Sequence, residues 1–298
     1  MITADRAMIL EHIHKSFQAA AQSLPAYARI LPFFETLFTL QEAAVAVATP
    51  DPAPMRHDTR KKWIDSRLPL LDRARIPYDE PAAVSLLSAI CREADTATAQ
   101  LAEGAGAILS DLKKKSGAVQ RGLRLFMGAD HQGIHALSAE LDIDASILEF
   151  FLYHGVWPSV ARQVDRIRDS RAMEGIHRDQ GDCPVCGSPP DLAYLADNGG
   201  RRLVCGFCRH QWPIQRIQCP YCGNQDSHGV IFFFSDSEPA YRVYTCKDCK
   251  MYIKTVDTRR LSRPFYPPLE AIVTAHLDLK TRGLGFKSQP QDCPEMTV

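Results

Sequence analysis

The sequence predicts an α+β protein: an irregular α-helical N-terminal domain followed by two tandem β-ribbon modules. Three observations predict this class. Apolar residues recur at spacings of three and four up to about residue 178. After Gly181 the chain turns to β-branched and aromatic runs separated by turn dipeptides. Eight of the ten cysteines fall in four Cys-x-x-Cys pairs between positions 183 and 249. The expected boundaries are 1–178 for the helical domain, 179–218 for the first ribbon, 219–265 for the second, and 266–298 for a C-terminal helix and tail.

Taken in order, Ile9, Ile13, Phe17 and Ala20 form one apolar helical stripe. Leu31, Phe34, Leu37, Phe38 and Gln41 form another, opened by Pro32 in its first turn. The Pro-rich segment Thr49 to Asp58 cannot continue a helix. The pattern from Glu80 to Leu101 predicts one long amphipathic helix, and 104–112 and 120–126 predict two shorter ones. The last two helices of the bundle are expected over 137–152 and 156–167. Strands are expected over 192–196, 201–204, 212–218, 230–234, 241–245 and 252–256. Asn198-Gly199 is a tight-turn signal between the first two. Residues 269–279 predict a terminal helix, with a tail from about 287.

Composition narrows the function. The 298 residues are 45% hydrophobic and 23% charged, an ordinary globular mix, and the 35 basic and 35 acidic side chains cancel. A neutral chain is a poor polyanion binder, so no nucleic-acid partner is expected. The N-terminal residues mix acids, bases and histidines and do not read as a secretory signal. The longest apolar runs, 43–48 and 230–234, are too short for membrane insertion. These features point to the cytoplasm, where thiols stay reduced and paired cysteines signal metal rather than disulfides.

The cysteine spacings carry the chemistry. Cys183/Cys186 and Cys205/Cys208 are separated by 18 residues, and Cys219/Cys222 and Cys246/Cys249 by 23. Two residues between thiolates let one turn present both sulfurs to one ion at about 2.3 Å. A hairpin then sets the second turn opposite the first. Pairing within each hairpin closes shorter loops than a cross-braced arrangement, so it is the expected one. Each set of four satisfies a tetrahedral ion and leaves no position for water or substrate. Cys-Pro-Val-Cys-Gly (183–187) and Cys-Pro-Tyr-Cys-Gly (219–223) read as knuckle turns whose glycine permits positive φ. Spacing does not choose between zinc and a single iron. Thioredoxin-type redox chemistry fits poorly, since it uses one pair opening a helix in a βαβ unit.

The motifs CPVCGSPP (183–190), CGFCRHQW (205–212), CPYCG (219–223) and YTCKDCKMYIKT (244–255) resemble those of the FdhE family of formate dehydrogenase accessory proteins. That resemblance implies a helical region joined to two rubredoxin-like or zinc-ribbon modules. It implies a non-enzymatic factor for maturation of respiratory formate dehydrogenase. The implied partner is the enzyme's molybdenum-containing catalytic subunit, met in the cytoplasm before twin-arginine export. It also tilts the two bound ions towards iron, with zinc as the alternative. Two rivals remain open: a nucleic-acid-binding zinc ribbon and a rubredoxin-like redox carrier.

Other residues invite bland readings. Asp130, His131 and His135 are close enough to share a metal, but a surface or turn role is the simpler expectation. His210 and His228 lie beside the cysteines, which already complete two sites. Phe232, Phe233 and Phe234 are expected to be buried, with an exposed docking patch as the alternative. Arg201, Arg202, Arg216, Arg242 and Lys254 are expected on solvated surface. Lys61-Lys62 and Lys113 to Lys115 read as helix ends. Cys91 is expected to be a core thiol, and Cys293 a free one in the tail. No nucleotide loop, HExxH or Gly-x-Ser-x-Gly is present.

Overall fold

A computed structural model of the chain describes residues 4–55, 68–169 and 181–288. Lys61, Lys62 and Cys293 lie outside them. The described residues pack as two units, one formed by 4–55 with 71–169 and the other by 68–70 with 181–288.

The first unit is helical: α1 (Ala4–Ser23), α2 (Leu31–Val47), α3 (Glu80–Glu93), α4 (Ala99–Lys114), α5 (Ala118–Met127), α6 (His131–Leu141) and α7 (Ala145–Asp169). Its core is aromatic. Phe17, Phe33, Phe34 and Phe38 of α1 and α2 are buried with Phe150 and Phe151 of α7. Phe150 meets Phe34 edge-on at 6.2 Å. Among the described residues no helix is long and apolar enough to cross a membrane.

Three helix boundaries differ from the sequence expectation, each for a local reason. The long helix over 80–101 breaks after Glu93, because the Thr98 side chain accepts from the backbone N–H of Leu101 and starts α4. The helix over 137–152 breaks at Asp142, which turns left-handed at φ 54°, and Asp144 accepts from Ser146 N to begin α7. Conversely, the expected gap before Val156 does not exist: α7 runs straight through Pro158. A proline there lacks the N–H that would bond the carbonyl of His154. Gln41 of α2 supplies the missing donor, its Nε2 meeting that carbonyl at 3.0 Å. The Pro-rich segment after α2 is tied to α7 by Gln163, whose amide donates to Asp51 O at 2.7 Å and accepts from Ala53 N at 3.0 Å.

The second unit is built on one six-stranded sheet of β1 (Pro190–Leu195), β2 (Arg201–Cys205), β3 (Gln211–Ile214), β4 (Val230–Phe234), β5 (Tyr241–Cys246) and β6 (Tyr252–Asp257). The order is β3-β2-β1-β6-β5-β4. Each ribbon is an antiparallel three-stranded meander. A parallel β1–β6 ladder, from Leu192↔Lys254 to Leu195↔Asp257, splices the two. The expected strand over 212–218 stops at Ile214, and 215–217 are exposed.

Two short helices, α8 (Pro267–Val273) and α9 (Ala275–Gly283), replace the single terminal helix expected, parting at Thr274. They bring carboxylates to the sheet. Glu270 is fully buried and takes hydrogen bonds from Arg263 Nη2 at 2.8 Å and Tyr241 OH at 3.1 Å. Asp278 meets Lys254 Nζ at 2.6 Å and Tyr252 OH at 2.8 Å. Removing one partner of a buried ion pair strands the other. Arg263→Met is therefore expected to destabilise the protein by about 3–5 kcal/mol in urea denaturation, and a loss under 1 kcal/mol would show that Glu270 finds another partner.

Candidate metal centres

The structure brings the eight sequence-singled cysteines into two groups of four. Cys183, Cys186, Cys205 and Cys208 form one; Cys219, Cys222, Cys246 and Cys249 form the other. Within each group all sulfurs lie within 4.8 Å of one another. The pairing is within each hairpin. The nearest pairs are Cys186–Cys205 at 3.4 Å and Cys183–Cys208, Cys219–Cys249 and Cys222–Cys246, each at 3.6 Å. A tetrahedral ion bonded to sulfur at about 2.3 Å sets the sulfurs about 3.8 Å apart, so both groups fit one.

All four knuckles repeat one backbone form. The first cysteine's N–H bonds to the carbonyl five residues on, at 2.8–2.9 Å: Cys183 to Ser188, Cys205 to His210, Cys219 to Asn224 and Cys246 to Met251. The residue after the second cysteine is left-handed in every case: Gly187 at φ 81°, Arg209 at 59°, Gly223 at 77° and Lys250 at 60°. The sequence singled out the two glycines and missed the arginine and lysine. Aligning the four motifs at their fifth position would have revealed the shared turn. This geometry turns backbone N–H groups onto sulfur. Phe207 N and Cys208 N lie 3.4 and 3.3 Å from Cys205 Sγ. Tyr221 and Cys222 do the same for Cys219, and Asp248 and Cys249 for Cys246.

Burial and the neighbouring thiols pull the cysteines of each group in opposite directions. Burial drives the Cys205 and Cys208 thiols well above their usual range, and hydrogen bonds from neighbouring thiols add to the rise. Burial also pushes Cys249 up to about 11. Burial opposes ionisation of Cys186 too, but hydrogen bonds from Cys183, Cys205, Cys208 and the Ser188 N–H outweigh it and pull that thiol down. A metal entering either group must displace protons, so affinity falls as pH falls.

The two groups differ in exposure. All four cysteines of the first are buried, whereas Cys222 of the second is exposed and Cys249 half-buried. Asn224 Nδ2 guards that open side, donating to Asp248 Oδ2 at 2.7 Å beside Cys246. The second knuckle also packs on the first ribbon. Tyr221 OH donates to Pro190 O at 3.3 Å, and a Cβ at Gly181 would fall 1.4 Å from Pro220 O.

The remaining candidates take other roles. His131 and His135 are exposed on α6, whose first turn Asp130 caps by accepting from Gly133 N at 2.9 Å. His210 stacks parallel to Trp212, and His228 N donates to Asp226 Oδ1. None of these histidines joins a metal-competent group among the described residues. Cys91 is buried in α3, and burial pushes its thiol up. Lys113 to Lys115 close α4 facing solvent. Two expectations are overturned. Phe232 and Phe234 are 46% and 53% exposed, because β4 is an edge strand and no described element covers that stretch. Arg201 and Lys254 are buried, not solvated, because their strands lie inside the sheet.

A helical unit joined to a ribbon sheet with two tetracysteine groups defines the class, a paired-ribbon protein whose two groups could each hold a metal ion. No family model matches the chain. Its relatives are nonetheless consistent. An FdhE homolog from Aquifex aeolicus is 32% identical over 151 residues, 49% of this chain and 52% of the relative. One from Shewanella oneidensis is 31% identical over 191 residues, 60% and 61% of the two chains. The chain thus spans about half to three-fifths of the curated relatives it matches. The crystal structure of the FdhE protein from Pseudomonas aeruginosa matches the fold with a TM-score of 0.69, at 20% identity, over 100% of this chain and 98% of that one. The chain is thus similar in sequence to FdhE homologs over about half its length, and it shares the fold of an FdhE protein over all of it.

Two measurements probe the site. In Gly223→Ala only the left-handed backbone resists, since a Cβ there meets nothing within 4 Å; about 1 kcal/mol should be lost. Gly187→Ala should lose more, because its Cβ would also press on Pro69 Cγ at 3.0 Å; equal denaturation midpoints would refute that contact. Challenged with a chelator or with falling pH, the metal-loaded protein should release the ion of the second group first, followed by metal analysis of Cys183→Ser and Cys219→Ser variants. Simultaneous release would show that exposure does not set the order.

Proposed function

We propose that this protein is a non-catalytic accessory factor for formate dehydrogenase, that its eight paired cysteines hold two metal ions, and that it engages the enzyme's catalytic subunit in the cytoplasm. The observation that carries the reading is the pair of closed four-sulfur cages set in an FdhE-like fold. A site with all four positions taken by protein sulfur has no room to activate water or substrate, so the ions act as scaffold. Iron is favoured by the family resemblance, and zinc fits the same cage.

Protein binding is further supported at the β4 edge. Ile231, Phe232 and Phe234 are exposed there, with Phe232 stacked on Tyr244 at 5.1 Å and Arg242 lying 5.2 Å over its ring. An exposed aromatic edge strand favours strand addition by an extended partner segment. The nucleic-acid reading is disfavoured because three of the cations on the ribbon strands are occupied, Arg242 by Asp257, Lys254 by Asp278 and Arg201 by burial, and the whole chain is neutral.

The test is capture of the formate dehydrogenase catalytic subunit by the full-length chain. Cys219→Ala with Cys222→Ala should lower metal content and abolish capture. Phe232→Ser with Phe234→Ser should keep both metals and weaken capture at least about tenfold, a loss of 1.4 kcal/mol. If the cysteine variant keeps its fold and still supports full formate dehydrogenase activity, the scaffold reading fails.

A further inference from the structure

Most buried charges in the sheet unit come with ion-pair partners, Asp191 on β1 being an exception with one oxygen unpartnered among the described residues. Lys254 meets Asp278, Arg263 meets Glu270, and Asp257 meets Arg242 and Arg259. Arg201 is different. It is 1% exposed, yet no carboxylate pairs with it among the described residues. Its Nη1 donates to the carbonyl of Gln218 at 2.9 Å and approaches that of Arg216 at 3.5 Å. Its guanidinium lies over the Tyr244 ring, 4.2 Å from the centroid. Nε and Nη2 find no acceptor among the described residues. Desolvation lowers Arg201 only to about 10, so it remains a cation at neutral pH.

A buried cation without a counter-charge is strongly disfavoured. A cation–π contact and two carbonyls offset part of that cost. A solute anion does not fit, because the cavity beside Arg201 has a volume of about 10 Å³, room for one water. The same cavity is lined by Cys219 and Cys246 of the second group. The ionisable neighbours that act on Arg201 are Tyr244, Tyr221 and Cys219. Phenols are neutral at pH 7. A divalent ion ringed by four thiolates is a dianion, a fixed negative charge at the place where Arg201 lacks one.

We infer that Arg201 is the buried counter-ion of the second metal centre, supplied across the sheet by the first ribbon. The strand that carries it, β2, ends in Cys205 of the first centre. One ribbon thus completes the electrostatics of the other's site. Its role is positioning and charge compensation, since the four sulfurs already fill the ion's coordination. This inference rests on the reading that both groups hold metal.

The test measures zinc affinity of the full-length chain by competition with a chromophoric chelator, for wild type, Arg201→Met and Arg201→Lys. Wild type should bind two ions. Arg201→Met should weaken one of them by about 10- to 100-fold and leave the other unchanged. Arg201→Lys, which keeps the charge, should recover part of the loss. In a Cys219→Ser/Cys222→Ser background, where only the first centre remains, Arg201→Met should have no effect. Unchanged affinities overturn the inference. So does equal weakening of both ions, which is what a general folding defect would give. Fewer than two ions in wild type is a separate failure: it removes the metal reading itself, and this inference with it.

Discussion

Four sulfur atoms within 4.8 Å of one another form a cage suited to one tetrahedral cation, and the sheet unit is organised round two such cages. The knuckles aim backbone N–H groups at sulfur to lighten the negative charge. To do so they hold a residue in the left-handed region at four places, two of them not glycine. Such strain survives where the surroundings over-determine it, and an ion clamped between paired turns would be that kind of surrounding.

The same cages bear on where the sheet unit carries its positive charge. A divalent ion in either group would make a dianionic centre, and the ribbons set positive charge near both groups in graded form. Lys247 and Lys250 stand in solvent beside the second centre, Arg209 sits in a knuckle of the first, and Arg201 is sealed between strand and cavity. The two centres are therefore unequal. One is enclosed on all sides, and the other opens to solvent through Cys222, closer to anything that docks on the second ribbon.

Much of this was legible in the sequence, for identifiable reasons. Cysteine spacing is a geometric statement about one ion, so the two groups and their membership followed from counting. Alternation and turn dipeptides located all six strands. Three kinds of information were not local and stayed hidden. Pro158 reads as a helix breaker until Gln41, 117 residues earlier, is seen to satisfy the carbonyl it orphans. The aromatic run 232–234 reads as core until the strand order makes β4 an edge. Arg201 reads as surface because strand alternation does not say that both faces of its strand are covered. In each case a partner distant in sequence decided the outcome, which is the information that single-sequence periodicity lacks.

The parallel splice between β1 and β6 has a consequence for biosynthesis. The strands it joins are separated by most of the sheet unit's length, so the ladder can form only after the second ribbon has left the ribosome. Until then the first ribbon presents an open row of amides and carbonyls along β1 to its surroundings. The nascent chain thus passes through an interval of vulnerability to mispairing that ends when β6 arrives.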